Sequence, residues 1–352
     1  MGVRTGPPAP GTSPTSPGST RAPAAAVHDV VVVGGGPAGL SAALLLGRSR
    51  RSVVVVDAGE PRNAAAAHVQ GFLTRDGTPP AELLRLGADE VRRYGVELRT
   101  ARVTALEPTG EGPGAPRLVA VLDDGTRLAA RRVVVATGLR DDLPDVPGLA
   151  ERWGRDVLHC PYCHGWEVRD ATVGVLLDRP EDAAKALTMT QWSGRVMVVL
   201  HGVRPEQVDA GTRESLDVLG VPLVPGPVTG LVVRDDALVA VRTPAGDVAL
   251  DALVVQPRMT ASDDLLSALG THVDRRQQGT SGRTVVAEPD GRTGVPHVYA
   301  AGNVADPASQ VVMAAAAGYR TALAVDHDLI DEDVAAAVTR AHADDDAPGT
   351  PP

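Results

Sequence analysis

Short runs of valine, leucine and alanine recur along this chain without any polar alternation. Val30 to Val33, Val53 to Val56, Val133 to Val135, Val173 to Leu176 and Val196 to Leu200 are the clearest. A strand that is apolar at every position has to be covered on both faces, which is the situation of strands in a parallel sheet flanked by helices. Leu40 to Leu46, Ala183 to Trp192 and Asp306 to Ala317 carry helical spacing and are read as helices lying between such strands. The alternation predicts an α/β fold. Ala101 to Thr104 and Thr126 to Val135 are expected to form strands of a small sheet, with Gly110 to Pro116 as a hairpin loop.

Composition narrows this picture. Hydrophobic residues make up 43% of the 352 positions but aromatics only 2%, so the cores must be built from Val, Ala and Leu. At about 150 residues per domain the length predicts about two domains. A formal net charge of -10 argues against nucleic acid or an anionic membrane as partner. No apolar run approaches the roughly 20 residues that span a bilayer. Residues 1 to 26 are rich in Pro, Gly, Ser and Thr and lack a signal-peptide apolar core, so a disordered leader on a cytoplasmic protein is expected. Residues 336 to 352 are expected to form a flexible acidic tail.

Two motifs carry chemistry. The run Asp29 to Val33 leads directly into Gly34-Gly35-Gly36-Pro37-Ala38-Gly39 and then into the helix. This is the G-x-G-x-x-G turn in the strand-turn-helix context that binds a dinucleotide pyrophosphate, and Asp57, at the end of the next strand, stands where an acid binds a ribose hydroxyl. The second motif is His159-Cys160-Pro161-Tyr162-Cys163-His164-Gly165, which holds the only two cysteines of the chain. A C-x-x-C pair can close a small disulfide and, beside nucleotide-binding patterns, reads as a redox dithiol. His164 is placed to relay the protons that dithiol oxidation releases. Two other readings stand beside this one: zinc ligation, although structural sites draw on two separated ligand pairs, and inert buried cysteines.

Further along, Val133-Val134-Val135-Ala136-Thr137-Gly138 and Val298-Tyr299-Ala300-Ala301-Gly302-Asn303 are strands that end in small-residue turns. With these four motifs in this order, residues 28 to 330 resemble the two-dinucleotide-binding-domain flavoproteins. The resemblance implies two Rossmann-like three-layer domains, the second inserted into the first: an FAD domain over 27 to 147 and 256 to 335, and an NADPH-domain-like insert over 148 to 255 that carries the dithiol. It assigns FAD contacts to Gly34, Gly36, Pro37, Ala38, Gly39, Asp57, Arg62, Asn63, His68, Val103, Ala136, Gly138, Asn303, Gln310 and Val311. Asn303 stands where the family has a ribityl-binding aspartate. For His68 a purely structural role is the alternative, and for Gln310 an ordinary surface amide.

A dithiol in the inserted domain resembles the low-molecular-weight thioredoxin reductases, in which the second cysteine faces the flavin and the first exchanges with substrate. By that resemblance Cys163 is the flavin-side thiol and Cys160 the exchange thiol. The family commonly forms homodimers, which is carried over as an expectation. The second glycine turn of those reductases is replaced here by Leu177-Asp178-Arg179-Pro180-Glu181-Asp182, whose side chains and charges oppose a pyrophosphate. The C-x-x-C-H-G run, with His164 in place of the reductases' aspartate, resembles the dithiol oxidases of gliotoxin- and holomycin-type metabolites. This implies oxidation of a small-molecule dithiol with O2 as acceptor. A reductase fed by NADPH or another donor, and a non-catalytic redox-sensing flavin or zinc protein, are the alternatives. Tyr162 and Trp166 are read as pocket lining or core packing, Trp153 and Trp192 as structural.

Overall fold

The computed structural model describes residues 27–110, 115–274 and 284–345. The expected leader, the middle of the Gly110 to Pro116 loop and the last residues of the tail lie outside that range. Strand β1 (Val27–Val33) runs into the glycine turn and α1 (Pro37–Arg48), and the chain returns through β2 (Val53–Asp57). Helix α2 (Pro80–Arg92), β3 (Glu97–Thr100), β4 (Val103–Pro108), β5 (Leu118–Leu122) and β6 (Arg127–Val135) follow, and β7 (Leu139–Asp142) leads away. Next come α3 (Leu149–Arg152), β8 (Val157–Leu158), α4 (Pro161–His164), β9 (Thr172–Leu177), α5 (Ala184–Met189), β10 (Arg195–Leu200), α6 (Ala210–Val218) and β11 (Leu223–Val224). Strands β12 (Gly230–Arg234), β13 (Ala237–Thr243) and β14 (Gly246–Ala249) form an antiparallel meander before β15 (Ala252–Val254). The chain returns through β16 (Arg258–Ala261), α7 (Asp264–Ala268), β17 (Val273–Asp274), β18 (Thr284–Val285), β19 (Val298–Ala300) and α8 (Val311–Asp345).

Two sheets organise these elements. The first has the order β3-β2-β1-β6-β5-β4, and the second, β11-β10-β9-β15-β8, is parallel throughout. The unbroken valine runs fill the interior as their pattern requires: Val30, Val31 and Val32 are fully buried, as are Val133, Val134 and Val135. Strand β7 pairs antiparallel with β16, so the two crossings between the sheets are hydrogen-bonded to each other.

Three expectations need correcting. Thr126 to Val135 does not belong to a separate small sheet. Strand β6 pairs with β1 along its length, and on its other side pairs first with β5, antiparallel, and then with β19, parallel. Its polar start and apolar end meet different neighbours, which a window over the strand alone cannot separate. The last helix starts at Val311 rather than Asp306, because Asn303 and Asp306 hold residues 306–309 in a turn. It then runs through residues 336–345, where a flexible tail was expected. That segment is rich in alanine, which favours helix.

Helix α8 lies across α1 with small residues at the contact. A Cβ at Gly318 would fall 1.9 Å from the Ala38 carbonyl oxygen. Charge fixes its far half. Arg132, 2% exposed, reaches Asp328 at 2.5 Å and Glu332 at 2.8 Å, while Arg131 binds Asp29 and Asp333, and Arg51 binds Asp326 and Asp333. Burial raises the Asp328 carboxyl, but hydrogen bonds from Arg132 and Tyr299 outweigh it and leave the pKa below the usual aspartate value; Asp333 is lowered likewise by Arg51 and Arg131.

Replacing Arg132 by Met keeps the apolar stem but takes from Asp328 and Glu332 their most buried cation; Tyr299, Arg117 and Arg131 still hold the two acids, so the loss is expected at or below the roughly 3–5 kcal/mol of a broken buried pair. Denaturant unfolding at neutral pH is expected to show that loss. Because the native carboxylates titrate low, their contribution is present above the unfolded aspartate pKa and lost as pH falls through the folded values. Wild-type stability should therefore drop below about pH 4, and R132M should show a shallower drop. Equal stability of R132M and wild type at pH 7 would mean that the cluster is not what holds α8.

Candidate active site

The glycine turn is built by close backbone approach. Gly34 has φ +105°, and a Cβ there would sit 2.4 Å from the Ala136 carbonyl oxygen at the end of β6. A Cβ on Gly39 would sit 1.9 Å from the Gly34 carbonyl, so the third glycine lets α1 start directly over the turn. Gly36 has nothing within 4 Å of its missing Cβ and opens into free space. Asp57 Oδ1 accepts a hydrogen bond from the Gly35 amide at 2.9 Å, which fixes the acid beside the turn. This cradle fits a dinucleotide such as FAD: bare backbone at the helix start for the phosphates and a carboxylate at the end of β2 for a ribose.

The dithiol forms on a single helical turn. Cys160 is the N-cap of α4 and Pro161 its first residue; the Cys163 and His164 amides both donate to the Cys160 carbonyl at 3.2 Å. That turn brings positions three apart onto one side, and Cys160 and Cys163 are joined as a disulfide with Cα atoms 5.2 Å apart. Gly165 is required by packing, since a Cβ there would lie 2.5 Å from the Trp192 ring. Tyr162 meets the same ring edge-on at 5.5 Å. Neither Tyr162 nor Trp166 is core: they are 70% and 66% exposed.

Cradle and dithiol open onto one cavity of about 310 Å³. Cys160, Cys163 and His164 line it together with Gly34, Gly36, Pro37, Ala38, Asp57, Arg62, Asn63, His68, Ala136, Gly138, Asn303, Gln310 and Val311. Two of the sequence-assigned residues are elsewhere. Gly39 serves the turn from behind, and Val103 is buried in β4 against the second core of the first sheet. Asn303 is in the wall, but its Nδ2 donates to the Asp306 and Ser309 carbonyls at 3.0 and 2.9 Å, while its Oδ1 accepts from Arg62 at 3.3 Å. An aspartate could not make those two donations. Arg62 is itself held by a two-pronged pair with Asp141, both contacts at 2.7 Å, a partner on β7 that no local pattern announces.

The two histidines around the dithiol are both held neutral. Burial lowers the His164 pKa against the pulls of Glu167 and the Cys160 carbonyl, and its Nδ1 is buried without a hydrogen bond of normal geometry. Burial takes His159 down to about 3, with the charges of Lys185 and Arg62 pushing the same way. A neutral imidazole with an uncommitted nitrogen beside a disulfide can take up a thiol proton.

In the second sheet, side chains rather than glycines stand at the carboxyl end of β9. Strand β9 continues to Leu177, fully buried, and a single 3-10 turn over Pro180–Ala183 precedes the short α5. Arg179 folds back onto Asp182 at 2.8 Å and donates to the Gln256 carbonyl at 3.1 Å.

Comparison with known proteins agrees with this layout. Residues 28–176 match the family model described as pyridine nucleotide-disulphide oxidoreductase. The thioredoxin reductase tcpT of Claviceps purpurea is 30% identical over 79% of this chain and 86% of its own length. The crystal structure of HlmI shares 47% identity at a TM-score of 0.83, covering 90% of this chain and 96% of that one. A protein of Arthroderma benhamiae named "Probable thioredoxin reductase" is 39% identical over 151 residues, a match that spans 42% of this chain and 37% of that protein. No helix among the described residues is long and apolar enough to cross a membrane.

The glycines separate binding from folding. G36V projects into open space and is expected to strip FAD, read as loss of flavin absorbance in the purified protein, while leaving the apoprotein's unfolding midpoint near that of wild-type apoprotein. G39A must displace the turn itself and is expected to lower both. The same flavin content in G36V as in wild type would remove the cradle from the cofactor site.

Proposed function

The chain belongs to the pyridine nucleotide-disulphide oxidoreductases, in their FAD-dependent thioredoxin reductase-like group, and on that premise we propose that it oxidises a small-molecule dithiol to its disulfide, with O2 as final acceptor. The observation that carries this reading is one cavity shared by the glycine cradle and the Cys160–Cys163 disulfide, in a chain whose second crevice is closed by Arg179, Asp182 and Gln256. A dithiol can reach the disulfide, whereas a nicotinamide dinucleotide meets side chains where it needs bare backbone.

The residues divide the work as follows. A substrate thiolate attacks the disulfide at Cys160, breaking the S–S bond and forming a mixed disulfide, and Cys163 leaves as thiolate. The second substrate thiol then attacks its own bound sulfur, releasing Cys160 and the cyclised product. His164, neutral and with Nδ1 uncommitted, accepts the thiol proton and as imidazolium stabilises the neighbouring thiolate. FAD, when bound, supplies the two-electron acceptor that restores the enzyme disulfide and passes the pair to O2 as hydrogen peroxide. Arg62, fixed by Asp141, and Asn303, fixed by its turn, keep the cavity wall in place. Thioredoxin reductase is the name carried by tcpT, and the rival reading differs in its electron donor, NADPH, and in running the exchange the other way.

Stopped-flow absorbance without oxygen decides between them. Bleaching of the flavin by dithiothreitol but not by NADPH, with recovery in air, is expected; rapid bleaching by NADPH would make the enzyme a reductase. C160S should abolish dithiol oxidation with FAD retained, and H164Q should slow bleaching by about 10²-fold. Since His164 titrates below its usual value, the wild-type rate should hold down to below about pH 6.5 and H164Q should lack the acid limb.

We also assign a homodimer contact to α8, whose exposed face presents Tyr319, Leu323, Ile330 and Val334 at helical spacing. Light scattering should return the mass of two chains for wild type and of one for I330D/V334D. A monomeric wild type would remove this assignment.

A further inference from the structure

Lys185 is the only lysine in the chain; every other basic residue among its 34 Lys plus Arg is arginine. It projects from α5 into the crevice where a dinucleotide-binding domain takes up its ligand. Its ammonium donates to the His159 carbonyl at 3.2 Å and to Gln256 Oε1, and His159 Nδ1 lies 3.3 Å away. Gln256, 6% exposed, follows β15, and His159 follows β8 and immediately precedes Cys160. An ammonium therefore sits on the carbonyl of the peptide bond that begins Cys160, behind the cavity wall that His159 provides.

We propose that Lys185 is a positioning residue for the dithiol: it occupies the vacated nucleotide crevice, pins the His159–Cys160 peptide, and stabilises the Cys160 thiolate when the disulfide opens. The geometry gives the reason for lysine here. Its compact point charge meets two convergent carbonyl oxygens and the edge of an imidazole, a cluster that the planar fork of arginine, used everywhere else in the chain, does not match. The charged groups facing it are Asp182 and Arg179, from the turn before α5; His159 is neutral, as is Gln256. Burial lowers its pKa to about 8, Asp182 pulling it back up and Arg179 pushing it further down. His159 Nδ1 lies between the Lys185 ammonium at 3.3 Å and the Val255 carbonyl oxygen at 3.4 Å, so it accepts from the one or donates to the other according to the ring tautomer. As pH rises through about 8 the ammonium is lost, and with it the pin.

This inference rests on the thiol-disulfide reading above, and its test does not need turnover. In enzyme labelled with ζ-15N-lysine a single side-chain resonance reports Lys185. Coupling between two charges is reciprocal, so its pKa should be higher in the dithiothreitol-reduced protein than in the disulfide form. In the reduced protein at pH 7, K185M should lower the iodoacetamide alkylation rate of Cys160 by about tenfold, as one unit of thiol pKa requires. K185R, which keeps the charge but not the geometry, should recover part of that loss, and FAD content should be unchanged in both. Should K185M not fold, Q256L removes the acceptor that aims Lys185 and should lower the same rate by a smaller factor. An unchanged Lys185 titration on reduction, or an alkylation rate in the variant equal to wild type, overturns the proposal. Failure of the wild-type dithiol to bleach the flavin would instead overturn the oxidase reading and leave the Lys185 measurement standing.

Discussion

Everything in the first sheet depends on backbone meeting backbone around Gly34. The Gly34 Cα lies against the Ala136 carbonyl, Gly39 against Gly34, and Gly318 of α8 against Ala38. Each contact is closer than a Cβ allows, so the ends of β1 and β6 and the starts of α1 and α8 converge within a few ångströms. That convergence leaves the carboxyl ends of the strands open as a cavity, where an open α/β sheet takes up its ligand. The valine runs supply the burial that holds the layers together, but they would do so with any turn. The glycines make the turn a site.

The chain uses charge differently at the two ends of this sheet. At the end remote from the cavity, arginines 51, 131 and 132 and the acids of α8 form a partly buried network that anchors a long helix. Around the dithiol, burial keeps both histidines neutral, and the nearest cations are committed: Arg62 to Asp141, Lys185 to His159 and Gln256. A charge buried with its partner fixes geometry, and a neutral imidazole left without one remains free to accept a proton.

The two halves thus treat the same architecture in opposite ways. In one, the crevice at the strand ends stays open over bare glycine backbone. In the other, Arg179, Asp182 and Lys185 gather at the strand ends, and Lys185 reaches the His159 carbonyl next to the disulfide. An ammonium carried by the chain itself avoids the entropic cost of recruiting a ligand.

What the sequence by itself determined were the features whose physics is local. A glycine turn between strand and helix, an acid at the end of the next strand, and two cysteines on one helical turn are each defined within a few residues, and the structure places Gly34, Asp57, Cys160 and Cys163 on one cavity. Only the tertiary structure decided the rest. That β6 changes partners halfway along, that Asn303 spends its amide on a turn, that Arg62 is held by Asp141 and that Lys185 reaches His159 are all pairings across large sequence separations. Such pairings leave no periodicity, because each depends on where two distant segments end. The lone lysine was visible as a count, but its meaning was not: a side chain's spacing records which face it occupies, and only the packed neighbour across the crevice says what it touches.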